Sequence, residues 1–142
     1  ELGGYIEKEG NLSHDGNAWV YDNACAYGNA QICGNAKIYN NTQVFGNAWV
    51  CDNAKVFGKV KIYDDAWISG RACIYGNACV YDNAEIYGDA EIYGNAWICG
   101  TACVYDYARI CDDAWIYGNA RIYGTACVDD STKVYGNTKI NF

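Results

Sequence analysis

Residues 88–99 are Gly-Asp-Ala-Glu-Ile-Tyr-Gly-Asn-Ala-Trp-Ile-Cys, a six-residue unit that occurs twice in succession. The same unit continues without insertion from Gly16 to Asn141 and gives twenty-one hexads. Position 1 of each hexad is Gly, Asp or Asn, position 3 is usually Ala, and position 5 is Ile or Val in all but one hexad. A fixed period of this length indicates one elongated repeat domain, in which each unit buries its apolar side chains against its neighbours.

The spacing within a hexad predicts a short strand followed by a corner. Positions 3 and 5 lie two residues apart, so in an extended chain both point inward, while positions 4 and 6 point outward. Position 1 holds the residue types that tolerate a positive φ, and the Asn common at position 2 favours turns. We therefore expect a strand of about four residues and a two-residue corner, a pattern that excludes helix.

Two segments carry a resemblance to a known family. Ile38-Tyr-Asn-Asn-Thr42 and Ile92-Tyr-Gly-Asn-Ala96 resemble the motif of the hexapeptide-repeat family, and the match extends over residues 16–141. The resemblance implies an all-β fold, a single-stranded left-handed parallel β-helix with triangular coils of 18 residues and about seven coils. Its left-handed sense rests on the resemblance, because general crossover rules favour the opposite hand. The glycine follows Ile-Tyr here instead of Ile, a variant similar to bacterial and prophage-encoded proteins of unassigned function.

The first residues follow the repeat only loosely. We interpret residues 1–15 as an N-terminal cap and residues 16–142 as the solenoid domain. In the hexad frame, Ile6 and Leu12 fall at the Ala position and His14 falls at the large aliphatic position. A polar residue on the core face suits a terminal unit that must meet water.

The last hexads also become more polar, since Asp129 and Asn141 replace the usual Tyr and Thr138 replaces Ala. Polar substitutions of this kind protect an open strand edge. The change is smaller than at the other end of the repeat. We therefore expect end-to-end joining of copies at this end.

A coil of 18 residues places side chains 18 apart in columns. Position 6 is mostly Tyr, all five Trp stand at position 4, and four of the Trp form pairs at this spacing. Exposed aromatic residues in such numbers are typical of a contact surface. The candidate contact surface comprises Trp49, Trp67, Trp97, Trp115, Tyr75, Tyr81, Tyr93, Tyr105 and Tyr123. Aromatic stacking that only stabilises the sheets is the simpler interpretation.

Nine cysteines and one histidine, with no Cys-x-x-Cys pair, argue against a zinc site. Cys33 and Cys51 are the one cysteine pair at a spacing of 18, which predicts Cα atoms about 4.8 Å apart, within disulfide range. We expect reduced thiols in general, because a repeat-built core does not depend on staples. Cys33 and Cys51 are the candidate disulfide or thiol pair.

The composition limits the classes of partner that the chain is expected to bind. A net charge of −7 with scattered basic residues argues against nucleic acid. No apolar run approaches the roughly 18–20 residues of a membrane helix, so we expect no membrane partner. We expect no cofactor, with the chain itself as the main partner and a glycan as a further candidate. A bacterial cell surface or phage particle is favoured over the cytoplasm.

Three candidate chemistries follow from the resemblance and the side chains. By resemblance, hexapeptide-repeat acyltransferases use a histidine base, an extruded loop and a cleft between trimer neighbours; here only His14 is available and no loop interrupts the hexads. A zinc hydratase of this fold would need three histidines. Asp64, Asp65 and Asp82 could bind calcium at one corner, although Asp also substitutes for Gly at left-handed turns, and that interpretation is favoured.

We therefore expect a non-catalytic structural rod or filament segment that self-associates through aromatic faces or coil ends. An acyltransferase-like enzyme acting at a trimer interface is the alternative. A glycan-binding module that uses the Trp columns is the third candidate. No catalytic, cofactor-binding or metal-binding residue is assigned.

Overall fold

The computed structural model describes residues 3–142, which form 22 short strands and one 3-10 turn at Glu9–Asn11. The strands are β1 (Tyr5–Ile6), β2 (Trp19–Val20), β3 (Cys25–Ala26), β4 (Gln31–Ile32), β5 (Lys37–Ile38), β6 (Gln43–Val44), β7 (Trp49–Val50), β8 (Lys55–Val56), β9 (Lys61–Ile62), β10 (Trp67–Ile68), β11 (Cys73–Ile74), β12 (Cys79–Val80), β13 (Glu85–Ile86), β14 (Glu91–Ile92), β15 (Trp97–Ile98), β16 (Cys103–Val104), β17 (Arg109–Ile110), β18 (Trp115–Ile116), β19 (Arg121–Tyr123), β20 (Cys127–Val128), β21 (Lys133–Val134) and β22 (Lys139–Asn141). No helix in this part of the chain is long and apolar enough to cross a membrane.

Every third strand joins the same parallel sheet, which makes the chain a β-solenoid with three sides. Sheet 1 has eight strands in the order β1-β3-β6-β9-β12-β15-β18-β21. Sheet 2 has the order β2-β5-β8-β11-β14-β17-β20, and sheet 3 the order β4-β7-β10-β13-β16-β19-β22. Trp19 pairs with Lys37 and Trp97 with Trp115, so the 18-residue register is confirmed. The left-handed sense stays an expectation from the resemblance.

The core consists of positions 3 and 5, as the alternation predicts. Ala90 and Ile92, for example, are fully buried, and the same holds for nearly every Ala and Ile or Val between Ala24 and Ala126. Position 4 lies outside and is mostly exposed. Small and branched side chains alternate inward because a three-sided coil leaves room for little else at its axis.

Regular strands are shorter than the predicted four residues, since only positions 4 and 5 qualify in most hexads. The N–H of position 3 turns back into the corner, as Ala24 shows by donating to Tyr21 O at 3.2 Å. The N–H of position 6 still reaches the next coil, as from Tyr21 to Ile38 O at 3.0 Å. The ladder to the next coil therefore continues to position 6, but the N–H of position 3 takes no part in it.

The corner residue at position 1 has a positive φ in every hexad from Asp22 to Gly136, which confirms the predicted left-handed conformation. Asp52 has φ 60° and Gly94 has φ 69°. A Cβ on Gly94 would lie 2.6 Å from the backbone nitrogen of Asp112, so the coils approach each other closely there.

The first residues enter the solenoid in a different register from the predicted one. Ile6 lies beside Ala26 and Leu12 bridges to Ile32, a spacing of 20 residues instead of 18. Both therefore occupy the large aliphatic position, and their predicted place at the Ala position is wrong; His14 is exposed and does not replace a core residue. The 3-10 turn takes up the two additional residues. These residues add a turn to the seven coils predicted for residues 16–141.

Asn11 fills the core at that turn. Its side chain is fully buried, and its Nδ2 donates to Ala30 O at 2.8 Å and to Gly28 O at 3.2 Å. Its Oδ1 accepts from the Lys8 N–H at 2.9 Å. A buried amide with both ends satisfied closes this end of the core without an unpaired polar group.

Candidate functional site

The position-6 aromatic rings stack along the corners in parallel columns. Tyr75 and Tyr93 have ring centroids 5.0 Å apart and planes 5° apart, and Tyr105 and Tyr123 are 5.1 Å and 3° apart. The predicted columns are thus present, and most of their rings are half-buried. Because each ring face lies against its neighbour, the columns present ring edges and hydroxyl groups to solvent.

The two tryptophan pairs differ in geometry. Trp49 and Trp67 stack at 5.4 Å with planes 28° apart, whereas Trp97 and Trp115 meet edge to face at 6.0 Å and 67°. All four side chains are exposed. Neither pair presents two coplanar free faces, which is the arrangement that a sugar platform on the Trp columns would use.

The Trp115 ring is held in place from two sides. Its Nε1 donates to Cys99 Sγ at 3.4 Å, and Lys133 Nζ lies 5.6 Å from the ring centroid. A cation over an indole face is a favourable contact. The edge-to-face orientation of this pair therefore follows from neighbours that the sequence spacing alone does not identify.

Cys33 and Cys51 lie directly above one another. Their Cα atoms are 4.6 Å apart and their sulfur atoms form a disulfide. The remaining seven cysteines are free; Cys99 and Cys111 are buried, and Cys127 is exposed.

Two tyrosine columns end on a thiol. A hydrogen bond with Cys111, together with burial, raises the pKa of Tyr93 from 10.0 to about 12. Burial, followed by a hydrogen bond with Cys99, raises the pKa of Tyr81. Burial also raises the pKa of the Cys111 thiol, although its hydrogen bond with Tyr93 opposes the shift. The Cys111 thiol therefore stays protonated at neutral pH and lacks the thiolate character of a nucleophilic cysteine.

The corner carboxylates have a structural role that the sequence analysis missed. Each Asp or Asn at position 1 that has a coil above it accepts a hydrogen bond from the backbone N–H of the position-1 residue 18 residues further on, in the next coil. Asp82 Oδ2 accepts from Gly100 at 3.0 Å, and Asp64 Oδ2 accepts from Asp82 at 3.4 Å. This N–H has no carbonyl partner in the ladder. The recurrence of Asp in place of Gly at position 1 was the available signal.

This role bears on the calcium candidate. Asp64 and Asp82 each place one carboxylate oxygen on a backbone donor, and Asp65 accepts from Asn47 Nδ2 at 3.1 Å. In residues 3–142, no group of three or more His, Cys, Asp or Glu side chains is arranged to hold a metal ion. The three carboxylates are therefore accounted for as corner acceptors.

Position 2 carries amide columns at the corners. Asn35 Nδ2 donates to Asn53 Oδ1 at 3.2 Å, and Asn35 Oδ1 accepts from the Asn17 N–H at 3.2 Å. Hydrogen-bonded amides in register resemble the ladders of stacked β-structures.

The single histidine lies at the N-terminal end. His14 Nε2 is 3.6 Å from Glu9 Oε1, and the side chains are 72% and 88% exposed, respectively. Both line a shallow cavity of about 490 Å³ together with Leu12 and Gln31. An acid–base pair this exposed has no surrounding wall to exclude water from a reaction.

One comparison with known proteins, a family model, agrees with the repeat architecture. Residues 30–46 match a family model described as the YdcK beta solenoid repeat. No curated protein sequence matches the chain. Among solved structures, a similar chain is a Bacillus cereus protein described as a putative acetyltransferase, at 16% sequence identity and a TM-score of 0.41, over 95% of this chain and 75% of that chain. Similarity at this level carries no conclusion about activity, and the narrower likeness to prophage-encoded proteins stays a prediction.

Proposed function

We propose that this chain is a non-catalytic structural β-solenoid, a rigid rod that associates laterally with copies of itself. The observation that supports this most directly is the exposed tryptophan on every side of the rod. Trp19 on sheet 2 is 53% exposed, Trp67 on sheet 3 is 49% exposed, and Trp97 on sheet 1 is 45% exposed. Large aromatic side chains held in water by a rigid backbone favour protein contact.

The rigidity of the rod follows from its backbone hydrogen bonds. In one hexad, the N–H groups of Asn53, Lys55 and Phe57 donate to carbonyls of the next coil at 2.8, 2.9 and 3.0 Å. The same three bonds recur in hexad after hexad. A bend would stretch such bonds in several coils together, so the rod suits a role as a spacer or filament segment.

The uninterrupted hexads support a non-catalytic role. A catalytic site brings several groups to one reacting atom. Here the outward side chains of three sides diverge, and from Gly16 to Asn141 no insertion extends from a corner to enclose a pocket. Acyl transfer remains the alternative proposal, for which specific binding of acetyl-CoA would be the supporting result.

The proposed contact on sheet 3 is the Trp49–Trp67 pair, since its two rings are adjacent and stacked. Aromatic residues at the centre of an interface contribute most of the binding energy. Association through coil ends stays a prediction from the sequence. A glycan that binds the Trp97–Trp115 pair is a further proposal, and its test is retention on a glycan column by the wild type but not by W97A/W115A.

Sedimentation velocity over a broad concentration range tests the proposal. We expect reversible, concentration-dependent association of the wild type, weakened by the double variant W49S/W67S. The matched control is Q31S/E85S, which changes exposed position-4 residues of the same sheet. A wild type that sediments as a monomer at every concentration would overturn the proposal. Equal effects of the two double variants would exclude the Trp49–Trp67 pair as the contact.

A further inference from the structure

The corner between sheets 2 and 1 carries a column of position-2 side chains with an unusual charge pattern. From the first coil to the last, the column is Asn23, Asn41, Lys59, Asn77, Asn95, Asp113 and Ser131. Only Lys59 and Asp113 are charged, and they lie at equal distances on either side of the midpoint between Asn77 and Asn95. The centre of the column is continuous, since Asn77 Nδ2 donates to Asn95 Oδ1 at 3.1 Å and Asn95 Nδ2 donates to Asp113 Oδ1 at 3.0 Å.

The other two corners do not have this pattern. Between sheets 3 and 2, the two position-2 charges are Arg71 and Asp89 in adjacent coils, and they pair with each other at 2.8 Å. Between sheets 1 and 3, Asp65 is the single charged position-2 residue. A separated pair of opposite charges thus occurs at one corner out of three.

Lys59 and Asp113 cannot satisfy each other within one chain. They are three coils apart, which corresponds to about 14 Å along the rod. Within residues 3–142, neither takes part in an intrachain ion pair. Both side chains are exposed.

The residues around Lys59 are basic, and those around Asp113 are mainly acidic. Lys55 and Lys61 flank Lys59 on the two adjoining sheets, while Asp112 and Asp130 stand at position 1 beside Asp113. Two basic side chains also lie near the acidic region, but both are engaged. Arg109 Nε is 4.0 Å from Glu91 Oε2, and Lys133 lies over the Trp115 ring.

We infer that two copies of this chain pair side by side and antiparallel along this corner, with a two-fold axis between Asn77 and Asn95. The axis places Lys59 of each copy opposite Asp113 of the other, and Asn77 opposite Asn95. The pairing rests on the proposed self-association and identifies its partner and orientation. An isologous contact of this kind closes on itself as a dimer.

The orientation follows from charge and backbone shape. A parallel, in-register pair would place Lys59 against Lys59 and Asp113 against Asp113, which is repulsive. The position-1 residues at the centre of this corner are Gly76 and Gly94, so no position-1 side chain separates the two backbones there. The inner Asn side chains are then able to hydrogen-bond across the axis.

Zero-length carbodiimide cross-linking of the full chain, followed by mass spectrometry, tests the pairing directly. We expect a Lys59–Asp113 isopeptide bond in the dimer band. Because the two residues are about 14 Å apart within one chain, this link reports contact between copies. A dimer band without this link overturns the antiparallel pairing.

Charge exchange provides the second test. K59E and D113K should each weaken dimerisation by about tenfold or more and remove part of its salt sensitivity, and the double variant K59E/D113K should restore it. The matched control for D113K is D65K, because Asp65 accepts from Asn47 as Asp113 accepts from Asn95. Dimerisation should be unchanged in D65K.

The outcomes separate this inference from the proposed function. Association that is unaffected by K59E and D113K but is weakened by W49S/W67S overturns the corner pairing and leaves the self-associating rod in place. A wild type that stays monomeric overturns both. Loss of dimer in each single variant with recovery in the exchange variant supports both.

Discussion

The carboxylate Oδ2 of Asp52 accepts a hydrogen bond of 3.0 Å from the backbone N–H of Gly70, one coil further along the rod. Asp52 itself has φ 60°, a conformation that most residues with a Cβ disfavour. Asp52 therefore adopts the corner conformation in its own coil and accepts the corner N–H of the next coil. Gly at position 1 makes the corner without supplying that acceptor, which distinguishes two kinds of corner in the same repeat.

Substitutions at Asp52 should separate these two contributions. D52N keeps both the acceptor and a tolerance of positive φ, so its free energy of unfolding should stay close to that of the wild type. D52G removes the hydrogen bond, so its free energy of unfolding should be about 1 kcal/mol lower than that of the wild type. D52A should be about 1–2 kcal/mol less stable than D52G, because Ala is strained at this φ. Urea unfolding followed by circular dichroism measures the series. Equal stabilities for D52N and D52A would contradict the assigned role.

The inward and outward positions are tested by a neighbouring pair. Ile92 is fully buried, whereas the adjacent Glu91 points outward and contacts Arg109 at 4.0 Å. I92N should destabilise the rod by about 3–5 kcal/mol or prevent folding, because it leaves a cavity and buries an amide. E91Q should change stability by less than about 1 kcal/mol. Thermal unfolding of the two variants gives the comparison, and equal melting temperatures would show that the faces are exchanged.

The disulfide predicts a specific thiol count. Of the nine cysteines, Cys33 and Cys51 are bonded and seven are free. Denatured protein should therefore release seven thiols before reduction and nine after it. The bridge closes an 18-residue loop and so restricts the unfolded chain. The free energy of unfolding of C33S/C51S should therefore be about 3 kcal/mol lower than that of the wild type. The control C25S/C127S removes two free thiols, and it should keep the wild-type response to reductant.

Alkaline titration tests the contact between Tyr93 and Cys111. The folded pKa of Tyr93 is raised from 10.0 to about 12, so this contribution to stability is complete below pH 10 and is lost as pH rises towards 12. C111A removes the thiol partner and should lower the pKa of Tyr93. C25A, which removes a free thiol that is not among the groups that shift the pKa of Tyr93, is the control. Tyrosine-labelled NMR follows the ring, and an unchanged Tyr93 titration in C111A would contradict the hydrogen bond.

Much of the fold could be predicted from local sequence. The alternation of Ala90, Glu91 and Ile92 predicts which side chains face inward, and Gly or Asp at position 1 predicts where the chain turns. These are steric properties of single residues, and their repetition leaves few ways to stack. The spacing of 18 then placed Cys33 under Cys51 and Trp49 under Trp67.

The candidate surfaces were predictable in position but not in geometry. Both Trp pairs have the same spacing in sequence, yet one stacks at 28° and the other meets at 67°. The difference depends on side-chain rotation, which at Trp115 is constrained by Cys99 and Lys133. No repeat period encodes such a constraint.

The sequence by itself determined the repeat, the inward face and the corner conformation, because each depends on residues close together in the chain. The tertiary structure alone decided the 20-residue register that places Ile6 beside Ala26, since a 3-10 turn and the buried Asn11 take up the additional residues. It also decided that the carboxylate of Asp52 accepts a hydrogen bond from the Gly70 N–H, because that contact joins groups 18 residues apart. Contacts between coils form only when the whole rod is stacked.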